Sequence, residues 1–247
     1  MKSLLISLML FSQISFARDV RMAFCMDLPP YIIQKTNSGI QLDIMKEALA
    51  LKGHKLIPVY MSFERAKLEL QENRIDAIER GAPYLTDDDK IYFANDYTIA
   101  FKDVAISLKD NSYRINTIKD LKDKSILAFK GASFYLENYF KNFDPNHLKY
   151  RETTDQSTQV IMLFRKRVNV VISDELIFKY HQLNYSKENN SSPEFVIHDI
   201  FKQNTYPHNR AAFRDKNLRD DFNYGLEKIK KSKRYKQIIN AYTLAIK

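Results

Sequence analysis

Apolar runs of strand length alternate with amphipathic runs of helix length, and they do so twice along the chain. Residues 21–26 read as a strand, and 42–52 as a helix with apolar side chains at Leu42, Met45, Ala48 and Leu49, ended by Gly53. Residues 54–60 read as a second strand, 64–71 as another helix and 76–78 as a short strand. That βαβαβ order implies a parallel sheet, because parallel neighbours need a crossover and each crossover here is a helix. Residues 103–108 read as an extended crossing segment, after which the pattern restarts. A helical turn at 118–121, a strand at 125–129, a helix at 133–140, a helix around 156–165 and a strand at 168–172 make the second set. Residues 186–193 read as a polar loop, 195–198 as a strand leading back, and 218–231 and 235–245 as two closing helices. Two similar α/β units in series are the expected result.

One stretch of the first unit gathers several ligand-binding devices. A helix from Phe63 is followed by the strand Asp76-Ala77-Ile78, the turn Gly81-Ala82-Pro83, a helix start at Thr86-Asp87-Asp88-Asp89, and the corner Phe93-Ala94-Asn95-Asp96-Tyr97. A strand's carboxyl end, a turn and a helix N-terminus then coincide, which is where open α/β sheets bind ligands.

This order of motifs resembles the extracellular solute-binding proteins of bacterial amino-acid ABC transporters (solute-binding family 3). Asp76, Gly81, Thr86, Phe93 and Tyr97 fall on that family's pattern. Leu28-Pro29-Pro30-Tyr31 and Gly39-Ile40-Gln41-Leu42-Asp43 resemble its first loop and first helix start. Ile118-Lys119-Asp120-Leu121, Phe129-Lys130-Gly131-Ala132-Ser133 and Val170-Val171-Ile172-Ser173-Asp174-Glu175 resemble the signposts of its second lobe, and Ala211-Ala212-Phe213-Arg214 with Leu218-Arg219-Asp220-Asp221-Phe222 the return to the first. The resemblance implies the two-lobed type II periplasmic-binding-protein fold, each lobe a mixed sheet flanked by helices, with a two-crossing hinge. It divides the chain into residues 18–102 (lobe 1), 103–203 (lobe 2) and 204–247 (the return to lobe 1).

Met1-Lys2 followed by an apolar run from Leu4 to Phe16 and the small-residue ending at Ala17 reads as a secretory signal, cleaved after Ala17 to leave Arg18 first. A periplasmic location follows as the expectation. The only cysteine, Cys25, does not directly follow the apolar run, so neither a lipid anchor nor an internal disulfide is expected, and it reads as a small apolar side chain in the first strand. The chain carries 39 Lys+Arg against 30 Asp+Glu, a formal charge of +9 that falls to about +8 with the loss of Lys2. Such a surplus serves solubility or attraction for anions. Its densest run, Lys228 to Lys236, is interleaved with Ile229, Tyr235 and Ile238 and reads as a solvated helix face rather than a nucleic-acid site.

A cleft selecting a small polar solute needs an aromatic wall, donors for an anion and an acceptor for a cation. The resemblance assigns Tyr31 and Phe63 to the wall, with lobe core as the alternative for each. Gly81, Ala82 and Thr86 would donate from a turn, and Lys130 through Ser133 from the opposite lobe. Asp174 would meet a ligand amino group, or else cap the helix over residues 175–180. The family's carboxylate-gripping arginine is missing: Asp87-Asp88-Asp89 and Lys90 fill that slot, and a capping role for these acids fits better than a metal site. Arg80 and Arg65 are the available replacements. Lys166 stands where the family has a turn glycine, which implies turn strain.

A non-catalytic, monomeric receptor that presents its solute to a membrane permease is the expected function, with no cofactor and no metal. Two alternatives remain at this stage, an enzyme on the same scaffold resembling cyclohexadienyl dehydratase and an orphan receptor linked to a sensor.

Overall fold

The computed structural model describes residues 17–80, 85, 91–141, 149–201, 210–244 and 246. The first lobe begins with β1 (Asp19–Phe24), α1 (Ile40–Ala50), β2 (Lys55–Tyr60), α2 (Phe63–Gln71) and β3 (Ala77–Ile78), and β1 pairs in parallel with both β2 and β3. Alternation along β1 explains its central place. Val20, Met22 and Phe24 face the cluster built on α1, whereas Ala23 faces Ala66 and Leu70 of α2, so the strand is covered on both sides. Ser62 caps α2, its Oγ accepting from the Arg65 N–H at 3.3 Å. The short β4 (Tyr92–Phe93) precedes the crossing to the second lobe.

The second lobe holds β5 (Asp103–Leu108), β6 (Ile126–Phe129), α3 (Ala132–Tyr135), α4 (Glu137–Phe140), β7 (Tyr150–Thr153), α5 (Ser157–Phe164), β8 (Val170–Asp174), α6 (Glu175–Asn189) and β9 (Phe195–His198). Its strand order is β7-β6-β8-β5-β9, with β6 parallel to β7 and β8, and β5 antiparallel to β8 and β9. The segment expected as an extended crossing is a paired strand of the second sheet, buried at all six positions. Ala105, Ile126, Ala128, Val170 and Ile172 pack on one face of the sheet, and Val104, Ile106, Leu127 and Val171 pack with α5 and α6 on the other.

The chain then returns. β10 (Ala212–Phe213) inserts antiparallel between β3 and β4, completing the order β2-β1-β3-β10-β4, and α7 (Lys216–Lys231) and α8 (Lys233–Thr243) pack on α1. Among the described residues the molecule is thus two mixed five-stranded sheets flanked by helices, the two mixed sheets that the family resemblance implied. At the α1–α7 crossing, Gly225 lies directly against the backbone of Ala48.

Four local expectations need correction. The helix expected over 133–140 is two short helices broken at Leu136, where φ and ψ are −104° and 22°. The loop expected over 186–193 starts late, because α6 runs on to Asn189 and ends only where Asn190 takes a left-handed conformation at φ 48°. The basic run 228–236 spans two helices, separated at Ser232, whose side chain caps α8 by accepting from the Arg234 N–H. Cys25 lies one residue beyond β1 and is only partly buried. Lys166 does take a positive φ of 55°, the strained geometry expected of a turn position without glycine.

Candidate functional site

A cavity of about 730 Å³ opens between the lobes. Cys25 to Leu28 follow β1 and Arg80 follows β3. Phe129 to Gly131 end and follow β6, Thr153 and Thr154 end and follow β7, and Asp174 ends β8. The carboxyl ends of parallel strands from both sheets therefore face one space, the arrangement that open α/β sheets use for ligands. Phe101 and Asp103, from the crossing, line it too.

Asp174 is the joint of this site. Its Oδ1 accepts from the Leu176 N–H at 3.0 Å and the Ile177 N–H at 3.1 Å, capping α6, and also from the Tyr31 hydroxyl at 3.0 Å. Its Oδ2 accepts from the Lys102 N–H at 2.7 Å. Complete burial pushes its carboxyl up to about 6, even though these hydrogen bonds pull the other way. Tyr31 comes from the first lobe, so the bond to Asp174 ties the two lobes together. The Tyr31 ring is buried, packs edge-on against Phe101 at 4.8 Å, and does not line the cavity. Burial, and then the charge of Asp174, raise its hydroxyl well above the usual tyrosine range.

The loop of the second lobe that was expected to offer donors already holds an acid. Glu152, on β7, accepts at Oε2 from the Gly131 N–H at 2.7 Å, and at Oε1 from the Ser133 N–H at 3.0 Å, the Ser133 hydroxyl at 2.9 Å and the Tyr150 hydroxyl at 2.8 Å. Partial burial raises its carboxyl, but the hydrogen bonds from Ser133, Gly131 and Tyr150 outweigh this and leave it below the ordinary range. Sequence reasoning missed Glu152. The one signal was a lone acid in the short run Tyr150-Arg151-Glu152-Thr153, and its meaning depends on the parallel register that sets Ala128 beside Glu152.

Arg80 lines the cavity, with Glu79 beneath it. Glu79 is fully buried, accepts from Gln41 Nε2 at 3.0 Å, and lies 3.6 Å from Arg80 Nη2. The structure thus gathers Arg80, Lys130 and Asp174 around one space. Ser133 turns to Glu152, the exposed Arg65 pairs with the buried Glu69 of α2, and Phe63 packs against the Ala23–Ala66 cluster; none of these three lines the cavity. Gly81, Ala82 and Thr86, with the acids Asp87 to Asp89, lie outside the described residues. Among the described residues no cluster of His, Cys, Asp and Glu could hold a metal ion, and no helix is long and apolar enough to cross a membrane.

Cys25 also lines the cavity. Burial, and then the negative charge of Glu79, push its thiol up to about 12. Only the thiolate attacks, so in the native protein Cys25 is expected to react with a thiol reagent at pH 8 at least about tenfold more slowly than free cysteine. Labelling at the free-thiol rate would contradict this environment.

The comparisons with known proteins agree with the architecture. No curated protein sequence matches this chain. Among solved structures, it is similar to the probable amino-acid ABC transporter extracellular-binding protein of Bacillus subtilis, with a TM-score of 0.69 at 15% identity over 92% of this chain and 99% of that one. A histidine kinase sensor domain with similarity to periplasmic binding proteins gives 0.67 at 15% identity, over 92% and 96%. An ancestral amino-acid-binding protein, a precursor of cyclohexadienyl dehydratase, gives 0.64 at 19% identity, over 91% and 94%. At such identities the likeness is one of fold. The sequence itself goes further, since residues 20–245 match a single family along almost the whole chain, and the protein belongs to the bacterial extracellular solute-binding proteins, family 3.

Proposed function

We propose that the chain is a periplasmic receptor, freed of residues 1–17 by cleavage after Ala17, whose lobes close on a small polar solute, an amino acid or a related compound, and present it as a monomer to an ABC permease. The observation that carries this reading is the space between the lobes, where the strand ends of both sheets bring Arg80 and Lys130 to the same cavity as Asp27 and Asp174. A solute touching both walls binds the closed form better than the open one, and only that difference shifts the population toward closure. Delivery to a sensor instead of a permease is the second reading, favoured by the likeness to a kinase sensor domain. The likeness to the precursor of a dehydratase keeps product analysis in the test.

A thermal-shift screen of residues 18–247 against amino acids, polyamines, small carboxylates, short peptides and prephenate-like acids tests the reading. A true solute at a hundred times its Kd is expected to add about 2.7 kcal/mol, which in a chain of this size raises Tm by about 5–10 °C. Conversion of the hit to product would make the protein an enzyme. Indifference to every class of solute would overturn the receptor reading.

A further inference from the structure

We propose that the solute is an organic cation, an amine or guanidinium on an apolar body, held through its positive charge with no carboxylate required. The inference rests on the receptor reading above and names the class of its solute. Its first support is charge. The chain as a whole is strongly basic, with 39 Lys+Arg against 30 Asp+Glu. Among the described residues the cavity lining reverses that sign: Asp27, Asp103 and Asp174 stand against Arg80 and Lys130, and Glu79 lies 3.6 Å from Arg80 to offset its charge. Lys130 is exposed to solvent, where its charge is screened. A cleft with apolar walls focuses such a field and concentrates ions of the opposite sign.

The second support is the state of the donors. A carboxylate entering from the second lobe would need the N–H groups of the loop after β6. The Gly131 N–H, the Ser133 N–H and the Ser133 hydroxyl all donate to Glu152. Glu152 thus takes up all three donors, so a solute carboxylate reaching this loop would have to compete with an acid of the chain itself and leave that acid's charge partly buried.

The third support is the wall. Phe129, Phe134 and Tyr135 form a contiguous aromatic surface, with Tyr135 at 6.4 Å from Phe129 and edge-on at 5.4 Å from Phe134, and Phe101 stands on the crossing side. Phe134 leaves about half its surface, 51%, open. Ring faces attract ammonium and guanidinium groups and bury alkyl chains equally well, whereas they offer nothing to a carboxylate. Asp27 is the acid best placed for direct contact. It is exposed, and among the described residues its one hydrogen bond is from the Gln34 N–H at 3.0 Å.

Calorimetric titration of the mature chain with matched pairs tests the proposal: agmatine with arginine, cadaverine with lysine, phenethylamine with phenylalanine, and glutamate as the anion. At least one amine is expected to bind, with its parent amino acid no more than about threefold tighter. Asp27→Asn, which keeps the acceptor for Gln34, is expected to weaken that amine at least tenfold while leaving the Tm of the unliganded protein unchanged. An amino acid that binds tenfold or more tightly than its decarboxylated partner, or an amine unaffected by Asp27→Asn, would overturn the cation proposal and leave the receptor reading standing. Failure of every pair and of glutamate, together with a silent thermal-shift screen, would remove both.

Discussion

Gly225→Ala is expected to lower Tm by about 6–12 °C, the loss corresponding to about 3 kcal/mol or more. A Cβ built at residue 225 would sit 1.9 Å from the carbonyl oxygen of Ala48 and 2.6 Å from its carbonyl carbon. Those atoms are backbone, so no rotamer change makes room. Relief requires sliding α1, whose Ile40, Leu42, Ile44, Met45, Ala48 and Leu49 are all buried. The sign of the result is informative in itself. In a helix with room for a methyl group, alanine in place of glycine stabilises by about 1 kcal/mol. Thermal or urea melts followed by circular dichroism separate the cases, and an unchanged or raised Tm would mean that α1 and α7 do not approach this closely.

The second large effect depends on pH. The Asp174 carboxyl is raised from 3.8 to about 6 by complete burial, so between these values the native state binds a proton that the unfolded chain has released. Stability from this group therefore increases as pH falls from about 6 to about 4. Above pH 6 the buried charge costs the native state about 3 kcal/mol. Glu152 and Glu175 run the opposite way: both are lowered in the native state and lose their contribution as pH falls. The Asp174→Asn variant isolates the effect, because asparagine can still cap α6 and accept from Tyr31 but does not titrate. The stability of the wild type relative to Asp174→Asn is expected to rise by about 3 kcal/mol between pH 7 and pH 4. Urea melts at pH 4, 5.5 and 7 measure it, and a difference that stays flat would place Asp174 in contact with water.

Elements governed by local pattern were legible in the sequence, and those governed by distant partners were not. Residues 42–52 and 64–71 announce α1 and α2 by their amphipathic pattern, with Gly53 ending the first, and the parallel pairing of β1 with β2 and β3 follows from the crossovers. By contrast β4 and β10, two residues each, are strands through distant partners, β10 beside both β3 and β4, and β4 beside β10. No run of residues that short carries a period. The same division holds at the site. Arg80, Lys130 and Asp174 end or follow strands and line the cavity. Glu152 could not be matched to Gly131 and Ser133 without the register of β7 against β6. Tyr31 carried two readings, wall or core. Its side chain is in the core, with its hydroxyl reaching the other lobe.

The insertion of β10 between β3 and β4 also fixes an order of events. The five strands of the second lobe lie consecutively in the chain and are all present once His198 is reached. The first lobe's strands are not, and its sheet lacks the strand that joins β3 to β4 until Phe213 arrives from the far side of the second lobe. The buried face of α1 waits longer still, for α7. A chain emerging N-terminus first therefore has every strand of its second lobe available while its first lobe still lacks β10 and the helix that covers α1, an interval in which uncovered apolar surface is open to chaperones and to competing strands. The lobe that begins the sequence is the last to have all its strands.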